Sequence, residues 1–321
     1  MLSVLVNTGA DALSFNDFYL SARSCMFNLR KALEIHDDDP VLASNLLRAV
    51  VFRELNDKEK GKFFWLVNHV FGELLSDWAS AYDLLAANRV DTSEGYFKSV
   101  SVAAYCSGKP LQAFSAELEC AHRAGISLLE VKILVGLLCL QSLQSTTDIN
   151  ISIAMLRKYI LRLDGVVSPL VGKNAAATLN NIVSSMIEDA RLLVNDPAHR
   201  ETIIAASAVC ARLWAQFGTW VNHERSLYLC ALVLNKFDQC VGALDAAGEA
   251  LDIIQLNGQE DVDKAFLLLE ISRAQQGLGE VGMAKEALSR ADQIAEGFDP
   301  SLSKWFLEVR SKLEGKDIFI F

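Results

Sequence analysis

Strand-like patterns of alternating apolar and polar residues are nearly missing from this chain, the exceptions being the terminal segments 3–7 and 318–321. A half-buried strand needs that period of two, so most β architectures are excluded. Proline is scarce too, five in 321 residues, at Asp39-Pro40, Lys109-Pro110, Ser168-Pro169, Asp196-Pro197 and Asp299-Pro300. Each pair reads as one helix stopping and another starting, because proline cannot continue a helix but fits its first turn. No run or stripe of Lys and Arg occurs, and 40 acidic residues outweigh 30 basic ones for a net charge of −10. Phosphate backbones are bound by concentrated positive charge, so nucleic acid is excluded as a partner and a basic protein surface is favoured. No apolar run approaches the ~20 residues that cross a bilayer. The longest, residues 133–140, reads as a buried helix, so no membrane is expected. The apolar start of the chain, Met1 to Val6, carries no basic residues and is too short for a signal peptide. The seven cysteines (25, 106, 120, 139, 210, 230 and 240) form no CxxC pair, which points to buried thiols in a reducing, cytoplasmic setting.

What is present is helical periodicity, from Phe15 to Leu313. Leu111, Phe114, Leu118 and Ala121 step by three and four, as do Val281, Ala284, Leu288, Ala291 and Ala295, each predicting one apolar stripe on a helix. The breakers predict paired helices at 15–36 with 40–55, 58–75 with 77–88, 93–107 with 110–124, and 127–144 with 148–163. Further pairs follow at 174–193 with 199–217, 221–235 with 238–256, and 260–277 with 280–296, with a closing helix at 300–313. Short connections require neighbouring helices to pack antiparallel. Such an array escapes the size limit of a compact core, since each hairpin packs only on its neighbours. The expectation is one array over residues 1–321, with a bend or sub-boundary near 165–174. Apolar residues at 51% and a mean hydropathy of +0.23 suit helices buried on more than one side, and leave room for an apolar groove or a homo-oligomer face.

The C-terminal third repeats. A shift of 44 residues places Leu227 on Ile271, Leu234 on Leu278, Cys240 on Ala284, Ala243 on Ala287, Leu244 on Leu288 and Ala247 on Ala291. Leu268, Ile271, Ser272 and Gln275, then Leu278-Gly279-Glu280, then Ala284, Leu288 and Ala291 follow in order. This stretch resembles the tetratricopeptide repeat, over roughly residues 221–300. In the preceding unit Leu234-Asn235-Lys236-Phe237 occupies the turn, with Asn235 standing in for glycine because Asn tolerates the left-handed region. Upstream, Tyr105, Gly108 and Ala113 echo the pattern. The resemblance implies an all-α solenoid of tandem antiparallel hairpins whose first helices face a concave groove.

Motifs for chemistry are weak. Gly277 to Gly282 spells GxGxxG, but a dinucleotide site needs a strand before it, and residues 265–276 are helical in pattern. Gly165 to Lys173 has the wrong glycine spacing for a phosphate loop, with Asn174 where Ser or Thr would hold magnesium. His36-Asp37-Asp38-Asp39-Pro40 reads as a solvated loop with Asp39 capping the next helix. His69 and Glu73 share a helix face, but no second His completes a HExxH zinc site. The aromatics Phe63-Phe64-Trp65 and Trp78 with Tyr82 read as core, while Trp214 and Trp220 flank a turn at Gly218 and are candidate hot spots.

The expected function is therefore non-enzymatic, with no cofactor and no metal: a protein- or peptide-binding scaffold or regulatory module. The alternative is a stand-alone sensor region acting in trans with a signalling enzyme or transcription regulator. The repeat resemblance places Asn222, Arg225, Phe266, Leu269, Arg273 and Gln276 on the groove, where arginines would meet a peptide carboxylate.

Overall fold

The computed structural model describes residues 27–88, 93–165 and 167–314. Among them there is no strand, and fifteen α-helices carry the chain. The described part of the predicted 15–36 helix, α1, covers residues 27–35. Then come α2 (Pro40–Arg48), α3 (Asp57–Val67), α4 (Trp78–Ala87), α5 (Glu94–Cys106), α6 (Pro110–Ala124) and α7 (Leu128–Leu143). They are followed by α8 (Ile149–Ile160), α9 (Pro169–Glu188), α10 (Pro197–Phe217) and α11 (Trp220–Lys236). The last are α12 (Cys240–Asn257), α13 (Asp261–Gly277), α14 (Val281–Ala295) and α15 (Pro300–Glu314). All five prolines occupy the first position of a helix, where the missing N–H costs nothing. The terminal segments 3–7 and 318–321, and Cys25, lie outside the described residues.

The chain divides into two compact units between Val131 and Lys132. The segment 165–174, expected to hold a bend, lies inside the second unit. The core of the first unit is aromatic: Phe52, Phe63, Phe64, Tyr96 and Phe97 pack ring to ring at centroid distances of 5.2–6.3 Å. Here the predicted 58–75 helix changes character. After Val67 it widens into a π-helical segment, Asn68–Leu74, in which Leu75 N–H reaches back to Val70 O at 3.0 Å. Gly72 sits in this segment because the Trp78 ring lies where a side chain would be.

The second unit packs α11 on α12, α13 on α14, and α9 on α10, with each pair also touching the next. Its contact faces are lined with alanine: Ala243, Ala247 and Ala250 on α12, then Ala284, Ala287 and Ala291 on α14, are all buried. Small side chains let two helices approach closely and fill the interface without voids. The described cysteines are free, and burial pushes the thiols of Cys120 and Cys230 up to about 11 and that of Cys210 up to about 12.

Three hairpins share one turn. In α5–α6, α11–α12 and α13–α14, the N–H groups of Lys109, Gln239 and Glu280 donate to the carbonyls of Ala104, Leu234 and Gln275, each at 2.8 Å. The residue before each donor is left-handed: Gly108 at φ 74°, Asp238 at 57° and Gly279 at 77°. This is the 6→1 bond of a Schellman C-cap. The geometry corrects the repeat register. Gln239 and Glu280 are 41 residues apart, so the unit repeats at 41 and not at 44. Asn235 is not the turn residue either; it is helical and buried, and its side-chain amide donates to Glu270.

One predicted stripe points the wrong way. On α6, Leu111 (80% exposed), Phe114 and Leu118 face outward, whereas Ala113, Ala116 and Cys120 are buried. The face that touches a partner helix is again the small-residue face, and periodicity alone does not tell the two apart.

Candidate functional site

The residues expected on a groove lie on α10, α11 and α13, and the structure treats them very differently. Asn222 completes the start of α11: its side-chain oxygen accepts from the Thr219 backbone N–H at 3.0 Å, while its own N–H donates to Thr219 Oγ1 at 3.3 Å. This reciprocal box satisfies two of the N–H groups that a helix start leaves unpaired. Trp220, one residue into α11, packs its ring against the buried cluster of Ala211, Leu227, Ala250 and Ile254. Trp214 is half-buried, its ring within reach of Gly218.

Phe266 and Leu269 are not groove residues, which corrects the expectation from the repeat. They are 3% and 0% exposed, in a cluster closed by Phe306 and Leu313 of α15. The Phe266 ring lies 4.3 Å from that of Trp305 and 5.7 Å from that of Phe306. A closing helix covers whatever face of α13 it lands on, and repeat position alone does not register that cover. Arg273 and Gln276 stay half-exposed on α13, with Arg273 Nη1 3.5 Å from the Glu270 carboxylate.

Arg225 remains at the surface, 56% exposed, but it is already engaged. Its Nε donates to Asp263 at 2.9 Å, with Glu224 at 3.5 Å and Glu260 at 4.0 Å. Glu224 is fully buried, and burial first, then the neighbouring Asp263 charge and hydrogen bond, push its carboxyl up to about 8. Burial and the Asp263 charge thus favour the neutral, protonated form of Glu224. Arg225 then faces two anionic carboxylates, so the spot carries net negative charge. Arg225 is thus engaged by carboxylates of its own chain.

Beside it, a cleft of about 400 Å³ opens where α12 turns into α13. Three carboxylates, Asp252, Glu260 and Asp261, line it together with two cations, Lys264 and Arg290, and the apolar Leu251 and Ile254. A second buried carboxylate, Glu270, receives the Asn235 side-chain amide at 2.9 Å on Oε2. Burial and the Glu270 charge raise the hydroxyl of Tyr228 above the ordinary tyrosine range. Glu224, Asp263, Glu260 and Glu270 were not singled out from sequence. The signal available was small: acidic residues at helical positions otherwise occupied by apolar ones.

Gly277 to Gly282 runs from the last residue of α13 through the turn into the first two residues of α14, so a helix, not the strand that a dinucleotide site requires, precedes it. No helix of the described residues is long and apolar enough to cross a membrane. Comparison with known proteins finds no family model and no curated relative that matches the chain.

Proposed function

We propose that the chain is a non-enzymatic protein-binding scaffold, a tetratricopeptide-like array of helical hairpins whose second unit takes a basic peptide segment. The array reading is supported by the turn repeated at 41 residues and by the chain of pairwise packing from α9 to α14. The ligand reading rests on one observation: the cleft in which Asp252, Glu260 and Asp261 outnumber Lys264 and Arg290, adjoining an arginine whose charge Asp263 already offsets. Lys and Arg side chains would enter with their apolar stems against Leu251 and Ile254 and their charges on the carboxylates. The net charge of −10 adds long-range attraction for such a segment.

Calorimetric titration of the full chain with an eight-residue Lys/Arg peptide, and with an Asp/Glu peptide of equal length, tests the reading. The basic peptide should bind, weaken as salt is raised, and weaken again in a chain carrying Glu260→Gln with Asp261→Asn. Preference for the acidic peptide, or indifference to the double substitution, rejects it.

A further inference from the structure

The first unit brings together two histidines that lie far apart in sequence. His36 and Asp37 sit in the turn after α1, and His69 and Glu73 lie in the π-helical segment after α3. His36 Nδ1 is 2.9 Å from the carbonyl oxygen of Leu33, which can only accept, so Nδ1 carries the proton. His69 Nδ1 is 2.6 Å from Glu73 Oε2, and its proton is fixed in the same way. In the neutral rings both Nε2 atoms are therefore left with lone pairs. Those lone-pair atoms meet one carboxylate: His36 Nε2 is 3.6 Å from Asp37 Oδ2, and His69 Nε2 is 3.8 Å from Asp37 Oδ1. One donor atom from each of the three residues falls within 4.8 Å of the others.

Trp65 holds the two rings. Its indole stacks on His69 at 5.0 Å and 11°, and meets His36 edge-on at 5.7 Å. Asp37 is 77% exposed, so the donors open to solvent on one side. Two imidazoles whose far nitrogens are tied to a backbone carbonyl and a carboxylate have the outer-shell arrangement that orients metal-binding histidines. Donor atoms about 2.1 Å from one ion can be up to about 4.2 Å apart, so the histidine–aspartate separations of 3.6 and 3.8 Å already fit. π-Helical turns also recur at functional sites, and this one carries both His69 and the residue that orients it.

We propose that His36, His69 and Asp37 bind one divalent ion of the zinc class, with Glu73 orienting His69 and water filling the open face. The set of two nitrogens and one oxygen suits zinc, cobalt(II) or iron(II) and disfavours calcium or magnesium, which take oxygen ligands. The ion would join the turn after α1 to the π-helical segment, fastening the start of the unit. No local motif marks the site, because the two histidines lie 33 residues apart on different elements.

The test is titration of the full chain with Zn²⁺ by calorimetry and with Co²⁺ by visible absorption and tryptophan fluorescence. One ion should bind per chain, with no thiolate-to-cobalt charge-transfer band and with quenching that disappears in Trp65→Phe while affinity persists. His36→Ala, His69→Ala and Asp37→Asn should each lower affinity by at least the roughly 100-fold that outer-shell changes can reach, and Glu73→Gln by about 10–100-fold. His122→Ala should bind as the unaltered chain does. Circular dichroism reports whether each variant folds. Should His69→Ala unfold, His36→Ala and Asp37→Asn in the solvated turn carry the decision. Absence of binding at millimolar Zn²⁺, full affinity in the His36 and Asp37 variants, or a thiolate band would each overturn the site.

Discussion

The hairpins α11–α12 and α13–α14 have the same backbone turn and exchange what they bury. In the 41-residue register Glu224 stands where α13 has Ala265, and Leu229 stands where α13 has Glu270, and all four are buried. Arg225 likewise stands where α13 has Phe266; the arginine reaches solvent and the phenylalanine lies under α15. Turn and contact alanines fix the architecture, then, while the remaining buried positions accept a carboxyl or a hydrocarbon according to the neighbours each helix meets. A carboxyl there must keep its proton or find a donor, which is how Glu224 and Glu270 differ.

The comparison breaks most easily at the alanines. Ala250→Leu and Ala291→Leu occupy equivalent contact positions, and each should lower unfolding stability by about 1–3 kcal/mol in a urea titration. A large cost at one and none at the other would refute the shared register. Glu224→Gln comes next, with an effect on the order of 1–3 kcal/mol at alkaline pH. The folded Glu224 carboxyl titrates near 8 against an ordinary 4.5. Between those values the folded chain holds more protons than the unfolded one, so stability should fall as pH rises from about 4.5 to about 8 and level off above. Glu224→Gln should remove that slope and gain stability at pH 8.5; an unchanged slope would show that Glu224 ionises normally.

The two turns should respond with opposite signs. Gly279 at φ 77° pays no penalty there, so Gly279→Ala should cost about 1 kcal/mol or more, while Asp238→Gly at φ 57° should gain up to about 1 kcal/mol. Paired thermal melts measure both. Smallest is a serine bond present in α13 and α5 but not in α11. Ser272 Oγ donates to Ala284 O at 2.9 Å and Ser101 Oγ to Ala113 O at 3.3 Å, whereas α11 has Ala231 at that place. Ser272→Ala should cost about 0.5–1 kcal/mol by denaturant midpoint, and no loss would show that this bond is incidental.

Much of the fold was legible because its signals are local. Asp39 caps α2 by accepting from Leu42 N–H at 2.9 Å, as the loop before Pro40 implied. The predicted α11, α13 and α14 match the observed helices to within a residue at each end, and the predicted closing helix is α15. The repeat register was less legible for a geometric reason. Residues three apart lie on nearly one helix face, so sliding the match from 41 to 44 still pairs apolar with apolar, and only the turn bonds decide. The site was least legible. Arg225 was identified, but its partner Asp263 comes from another helix, 38 residues on.

By itself, the sequence determined that the chain is helical and, where a proline or cap marks them, where many of its helices begin. These follow from periodicity, caps and proline, which act over a few residues. Tertiary structure alone decided which face of each helix is covered. It turned Leu111 and Leu118 outward, put Phe266 beneath Trp305, and set His36 beside His69. A helix face has no inside until another helix lies on it, and that neighbour comes from a distant part of the chain.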